Sequence, residues 1–216
     1  MKAYFLSGLG ADERVFRFLQ LPSHVQQIHL PWLIPSKKET FKSYARRMAD
    51  KIDTNEPFYL VGLSFGGMLA TEILKFVSPQ KTFFISTVLT RKELPWYFRL
   101  YCNKICINLL PEKMLTYPNP IFHALFGANS KQEKEMLDRI VKEADPTFCK
   151  WAITQIFAFN PDALPKQDYI RIHGSTDKIL PIHHFIPSYT ILHGSHFMIA
   201  NRADEISIIL EKEMNI

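Results

Sequence analysis

The 216 residues include 26 Lys and Arg against 21 Asp and Glu, a formal net charge of +5, with 47% hydrophobic and 22% charged residues. These proportions belong to an ordinary soluble globular protein with a sizeable core, organised as a single domain over 1–216. Basic residues are spread among acids rather than clustered, which argues against nucleic-acid binding, and no apolar run reaches the length that membrane insertion requires.

Residues 2–6 form a β-rich run that stops at Ser7-Gly8-Leu9-Gly10, followed by a short segment over 12–19. A Gly-x-Gly after a first strand suits a dinucleotide site, but the third glycine position holds Glu13. The second strand, 25–30, then runs into Pro31-Trp32 with no acid to hold a ribose hydroxyl. The other use of such a turn is to aim a backbone N–H at a developing oxyanion. Ser36-Lys37-Lys38-Glu39 reads as a capping box opening a helix to about residue 52, with Phe41, Tyr44, Ala45, Met48 and Ile52 on one face. The stretch 58–70 reads as strand, sharp turn and helix, and 81–88 is the continuous apolar run of a strand buried on both faces.

From 90 to 160 no strand pattern appears. Helices are expected over 93–110, 119–126, 130–144 and 147–159, with Ser130 and Glu133 as a second capping box and Asp145-Pro146 as an N-cap followed by proline. Most aromatic residues of this insertion are expected to pack it against the sheet. Trp96, Phe122 and Trp151, joined by Phe197, are the candidates to line an apolar substrate pocket. Alternation resumes with a strand over 169–173, a loop carrying Asp177, a strand over 189–192, a loop carrying His196 and a closing helix over 197–212. The crossover between these last strands is so short that its helix is about one turn.

Three cysteines cannot all pair and fit a reducing compartment, and residues 1–6 are too short an apolar run for a signal peptide, so a cytoplasmic location is expected. Cys102 and Cys106 have the spacing of two ligands on a helix, but no His/Cys cluster supplies the rest, and they read as structural thiols. Arg91, Lys92, Arg99, Lys104 and Lys113 outnumber Glu93 and Glu112 in the same stretch, which admits an acidic partner such as an acyl-bearing carrier protein.

Gly62-Leu63-Ser64-Phe65-Gly66 lets the chain bend tightly and hold one hydroxyl outward, although taken alone the pattern also suits a packing turn. In an open parallel sheet the crevice lies beyond the carboxyl ends of the strands, so a partner of Ser64 must itself follow a strand. Asp177 and His196 do, whereas Asp168 precedes its strand. A serine hydroxyl needs an imidazole to take its proton and a carboxylate to fix that imidazole's tautomer. His193 is the rival base, placed at the strand end rather than on the loop. His24, His29, His123, His183 and His184 read as surface or core residues.

On Gly62-Leu63-Ser64-Phe65-Gly66-Gly67, His173-Gly174-Ser175-Thr176-Asp177 and Gly194-Ser195-His196-Phe197, the chain resembles the α/β-hydrolase fold over roughly 1–90 and 165–216. The resemblance implies a three-layer α/β/α sandwich on a mostly parallel sheet of about six strands, with an all-helical cap inserted over about 90–160. It implies Ser64 as nucleophile, His196 as general base and then acid, Asp177 as its orienter, and an oxyanion hole from the backbone N–H groups of Leu9 and Phe65. The turn carries Ser7-Gly8 where many members carry His-Gly. The expected activity is hydrolysis of a carboxylic ester or thioester of a small, largely hydrophobic substrate through an acyl-enzyme. Acyl transfer, a lyase step at the same site, and a non-catalytic binding protein of the same fold are the alternatives. Side chains alone run the proposed chemistry, so neither cofactor nor metal is expected.

Overall fold

The computed structural model describes residues 1–100, 116–161 and 163–215. Six strands, β1 (Lys2–Leu6), β2 (Gln26–His29), β3 (Phe58–Leu63), β4 (Lys81–Ile85), β5 (Tyr169–Gly174) and β6 (Tyr189–Ile191), form one sheet in the order β2-β1-β3-β4-β5-β6. Every neighbouring pair in it is parallel. The chain reverses its direction of travel between β1 and β3, so the crevice of this sheet opens beyond Leu6 and Leu63.

Alternate residues of each strand go to opposite faces, and both faces are covered, which is why the strands are apolar without a break. On one face Tyr4, Leu60 and Phe84 pack against α1 (Phe41–Ala49) and α2 (Phe65–Ile73), through Tyr44, Met48 and Leu69. On the other, Phe5, Val61 and Phe83 pack against the 3-10 turn Glu13–Phe16 and the C-terminal helices. The closing helix expected over 197–212 is two elements, α7 (Met198–Asn201) and α8 (Ala203–Met214), broken at Arg202. Lys81 and Tyr189 both reach Glu213 of α8, at 3.0 and 2.6 Å, which ties the helix to the start of β4 and to β6.

Ser36 and Glu39 do exchange hydrogen bonds, but they close a turn that precedes the helix. The N-cap of α1 is Thr40, whose side chain accepts from the Ser43 N–H. Between β4 and β5 the described residues form the α-helices α3 (Trp96–Leu100), α4 (Pro120–Phe126), α5 (Lys131–Glu143) and α6 (Pro146–Ala158). Ser130 and Glu133 form the capping box that opens α5, and the Asp145 carboxylate caps α6 ahead of Pro146. The remainder of the helix expected over 93–110, with Cys102, Lys104 and Cys106, lies outside the described residues, as do Glu112 and Lys113. Among the described residues no helix is long and apolar enough to cross a membrane.

The helical segment is fastened to the sheet by a buried ion pair. Arg171 of β5 donates to both carboxylate oxygens of Glu93, at 3.2 and 2.8 Å, while Glu93 also accepts from the Leu89 N–H at 2.8 Å. The crossover between β5 and β6 contains one 3-10 turn, Ile182–His184.

Candidate active site

Ser64 occupies the corner between β3 and α2 with φ 50 and ψ −117, a left-handed backbone that costs a non-glycine residue strain. The surroundings hold it there. Its N–H donates to Ile85 O at 2.9 Å, continuing the sheet ladder. Its carbonyl accepts from the Gly67 and Met68 N–H groups and from Thr87 Oγ1 at 2.7 Å. Gly66 is obligatory for sterics: a Cβ there would lie 2.4 Å from the carbonyl oxygens of Leu6 and Ser7. The first turn of α2 therefore rests directly on the end of β1, and this contact brings the loop after β1 beside the serine.

Asp177 follows β5 and His196 follows β6. The two loops are pressed back to back at Gly174 and Gly194, where a Cβ on Gly174 would stand 2.2 Å from Gly194 O. Thr176 locks the pairing by donating its N–H and its hydroxyl to Gly194 O, both at 2.9 Å. His196 Nδ1 consequently lies 2.7 Å from Asp177 Oδ2, and His196 Nε2 lies 3.0 Å from Ser64 Oγ. With Nδ1–H donating to the carboxylate, Nε2 presents its lone pair to the serine hydroxyl. Asp177 Oδ1 accepts from the Ile179 and Leu180 N–H groups at 2.9 and 2.8 Å. Burial alone would raise the Asp177 pKa, but the charges and hydrogen bonds of His196 and His173 hold it well below the usual carboxylate range.

Asp168 immediately precedes β5, and its carbonyl accepts from the Thr82 N–H at the opposite edge of the sheet. His193 is exposed, and its backbone N–H donates to Ser175 Oγ.

The turn after β1 carries the other predicted group. Ala11 N–H donates to Gly8 O, Ser7 Oγ donates to Ala11 O at 2.6 Å, and Trp32 Nε1 donates to Gly8 O at 3.2 Å. These bonds shape the turn without using the Leu9 N–H. Neither that group nor the Phe65 N–H has an acceptor among the described residues.

Ser64, His196, Gly8 and Leu9 lie in the wall of a cavity of about 480 Å³. The rest of the lining is almost wholly apolar, with Tyr97, Phe98, Phe126 and Phe157 from the helical segment. Of the four residues expected to line a substrate pocket, Phe122 and Phe197 are in the wall of this cavity and Trp96 and Trp151 are not. Trp96 is 58% exposed, with its ring edge on Tyr97. Trp151 lies on the far side of Phe65, where it packs on Tyr44 and Phe148 and donates from Nε1 to Glu39 O at 2.9 Å. The phase of α6 decides the matter: Ile153, Ile156 and Phe157 share the face toward the cavity, and Trp151 falls on the face toward α1.

His173 is the residue that sequence reasoning passed over. It is fully buried at the end of β5, donates from Nε2 to Leu180 O at 2.7 Å, and stands 3.2 Å from Asp177 Oδ2. The signal was present in a histidine four residues before the predicted acid, where it reads as one more strand residue. Phe126 is the second omission: its ring meets the His196 imidazole edge-on at 5.3 Å, and its carbonyl accepts from the Phe197 N–H.

The architecture is the α/β-hydrolase fold, as comparison with solved structures shows. An esterase from Thermogutta terrifontis superposes with a TM-score of 0.77 at 15% identity, over 100% of this chain and 89% of that one. The meta-cleavage product hydrolase of Pseudomonas fluorescens IP01 gives 0.69 at 14% identity, over 100% and 90%. A bromoperoxidase from Bacillus anthracis gives 0.66 at 16%, over 97% and 90%. Comparison with protein-family models and with curated protein sequences finds no match.

Proposed function

We propose that the protein is a serine hydrolase that cleaves a carboxylic ester or thioester with a hydrophobic acyl group, through an acyl-enzyme. The observation that carries this reading is the unbroken chain from Ser64 Oγ through His196 to Asp177, at 3.0 and 2.7 Å, opening onto an apolar cavity of about 480 Å³. Esterase and hydrolase neighbours of the same fold support it.

Ser64 Oγ attacks the acyl carbonyl carbon as its proton passes to His196 Nε2. Asp177, ionised and held by two backbone N–H groups, stabilises the imidazolium. The carbonyl oxygen, now negative, takes hydrogen bonds from the Leu9 and Phe65 N–H groups. The C–O or C–S bond breaks, and the leaving group departs with the proton from His196. Water then repeats the sequence on the acyl-serine and frees the acid. The cavity has room for about 15 groups the size of a water molecule, enough for an acyl chain far longer than acetyl. In this reading the helical segment acts as the cap over the acyl chain.

A fluorophosphonate label and a panel of aryl esters test the proposal. Wild-type protein should label at Ser64 and turn over medium-chain esters, and Ser64→Ala should do neither. Absence of labelling in the wild type, or equal turnover by Ser64→Ala, overturns it.

A further inference from the structure

Beside the apolar cavity lies a second one, of about 430 Å³, with a different chemistry. Its wall holds Lys178, His193, Arg202, Thr176, Ser195 and Asn201. Lys178 and Leu125 line both cavities, and Ser195 of the second is joined by one peptide bond to His196 of the first. The two spaces therefore meet at the loop that carries the proposed base.

Charge in this wall is mostly positive. Lys178, exposed and without an ion-pair partner, is the one charged side chain in the lining of the apolar cavity among the described residues. Arg202 contributes a second cation, 3.5 Å from Glu205. The one carboxylate in the second wall, Glu133, is engaged by the Asn129 and Ser130 N–H groups at the start of α5. Ser195 Oγ is buried with no hydrogen-bond partner among the described residues. His193 is held in the left-handed region, φ 57, by Ser175 Oγ bonding to its N–H at 2.8 Å, a costly conformation of the kind that clusters at ligand clamps.

We infer that the second cavity is the leaving-group site, and that the substrate joins an apolar acyl chain to an alcohol or thiol bearing an anionic group, a carboxylate or a phosphate. The inference rests on the proposed hydrolysis for its geometry. The leaving atom must receive its proton from His196 Nε2, so the leaving group lies on the histidine side of the scissile bond, where the lining changes from apolar to cationic. The acyl chain, on the other side of that bond, fills the apolar cavity. Lys178 stands at the junction, within reach of an anion a few bonds from the leaving oxygen or sulfur.

Three octanoyl thioesters test this: those of 3-mercaptopropionate, of its neutral methyl ester, and of 2-mercaptoethyl phosphate. Thiol release gives kcat/KM for each, and the readout is the ratio of anionic to neutral substrate, which partial loss of active protein leaves unchanged. An exposed charge pair is worth up to about 1 kcal/mol, so the ratio should exceed 1 and reach at most roughly 5 at low salt. It should fall close to 1 in Lys178→Gln and below 1 in Lys178→Glu, and the larger of the two anionic ratios names the anion. A wild-type ratio at or below 1, or a ratio unmoved by Lys178→Glu, overturns the inference. Should Ser64-dependent turnover be absent, the hydrolysis reading fails by itself. The ratio of dissociation constants for the same compounds on Ser64→Ala protein then decides the binding site separately.

Discussion

Asp177→Asn separates a catalytic relay from a mere packing contact. In the wild type Oδ1 accepts from the Ile179 and Leu180 N–H groups, and Oδ2 accepts from His196 Nδ1 with His173 Nε2 3.2 Å away. An asparagine that keeps its oxygen on the two backbone donors must turn its NH2 toward the imidazoles. His196 then accepts at Nδ1 and carries its proton on Nε2, which can no longer take the proton of Ser64. The opposite orientation leaves both backbone donors facing an NH2 group and loosens the loop. A wrong tautomer in such a relay costs about 10⁴ in kcat, close to 5.5 kcal/mol of barrier. Ester turnover, the rate of fluorophosphonate labelling and a thermal melt together give the measurement. Turnover by Asp177→Asn within tenfold of wild type, with the fold intact, would refute the reasoning.

The same carboxyl sets a pH dependence of stability. Its folded-state pKa is held below the unfolded value of about 3.9, so its contribution is complete above that pH and is lost as pH falls toward the folded value. Urea unfolding between pH 6 and 2 should show wild-type stability dropping below about pH 4 more steeply than that of Asp177→Asn, and parallel profiles would contradict this. Gly66→Ala should destabilise the fold by about 3 kcal/mol or prevent folding, because the added carbon meets backbone carbonyls that cannot rotate aside; a melting temperature within a degree or two of wild type would count against it. Arg171→Met should cost roughly 3–5 kcal/mol by leaving Glu93 buried and unpaired, and Arg171→Met with Glu93→Leu should recover much of that loss, as a double-mutant cycle in urea would read. Burial pushes the Cys149 thiol up to about 12, so site-resolved mass spectrometry should find it unalkylated by iodoacetamide at pH 8 until the protein unfolds.

Much of this fold was legible because its sheet is parallel and covered on both faces. Each strand is then a short unbroken apolar run, and glycine or proline punctuates the turns. Local hydrogen-bonding chemistry was equally readable at Ser130, Glu133, Asp145 and Pro146, where side chain and partner are three residues apart or fewer. At Ser36 the same logic misplaced the helix start, since Ser36 and Glu39 make their reciprocal bonds in a turn while Thr40 competes for the cap. The aromatic residues of the helical segment were the hardest to read. Trp151 and Phe157 sit on one helix six residues apart, and which of them faces the cavity depends on how that helix is rotated against α1.

The primary sequence by itself determined the strand order along the chain, the strained corner at Ser64, and the requirement that any partner follow a strand, because each of these depends on contacts between near neighbours or on the alternation of apolar runs. The tertiary structure alone decided how closely His196, expected from the sequence, approaches Ser64 and Asp177, that His173 stands against Asp177, and that an apolar cavity adjoins a cationic one. Those outcomes are set by the packing of two loops at Gly174 and Gly194 and by the rotation of whole helices, distances that close in space between residues remote in sequence and leave no periodic trace in it.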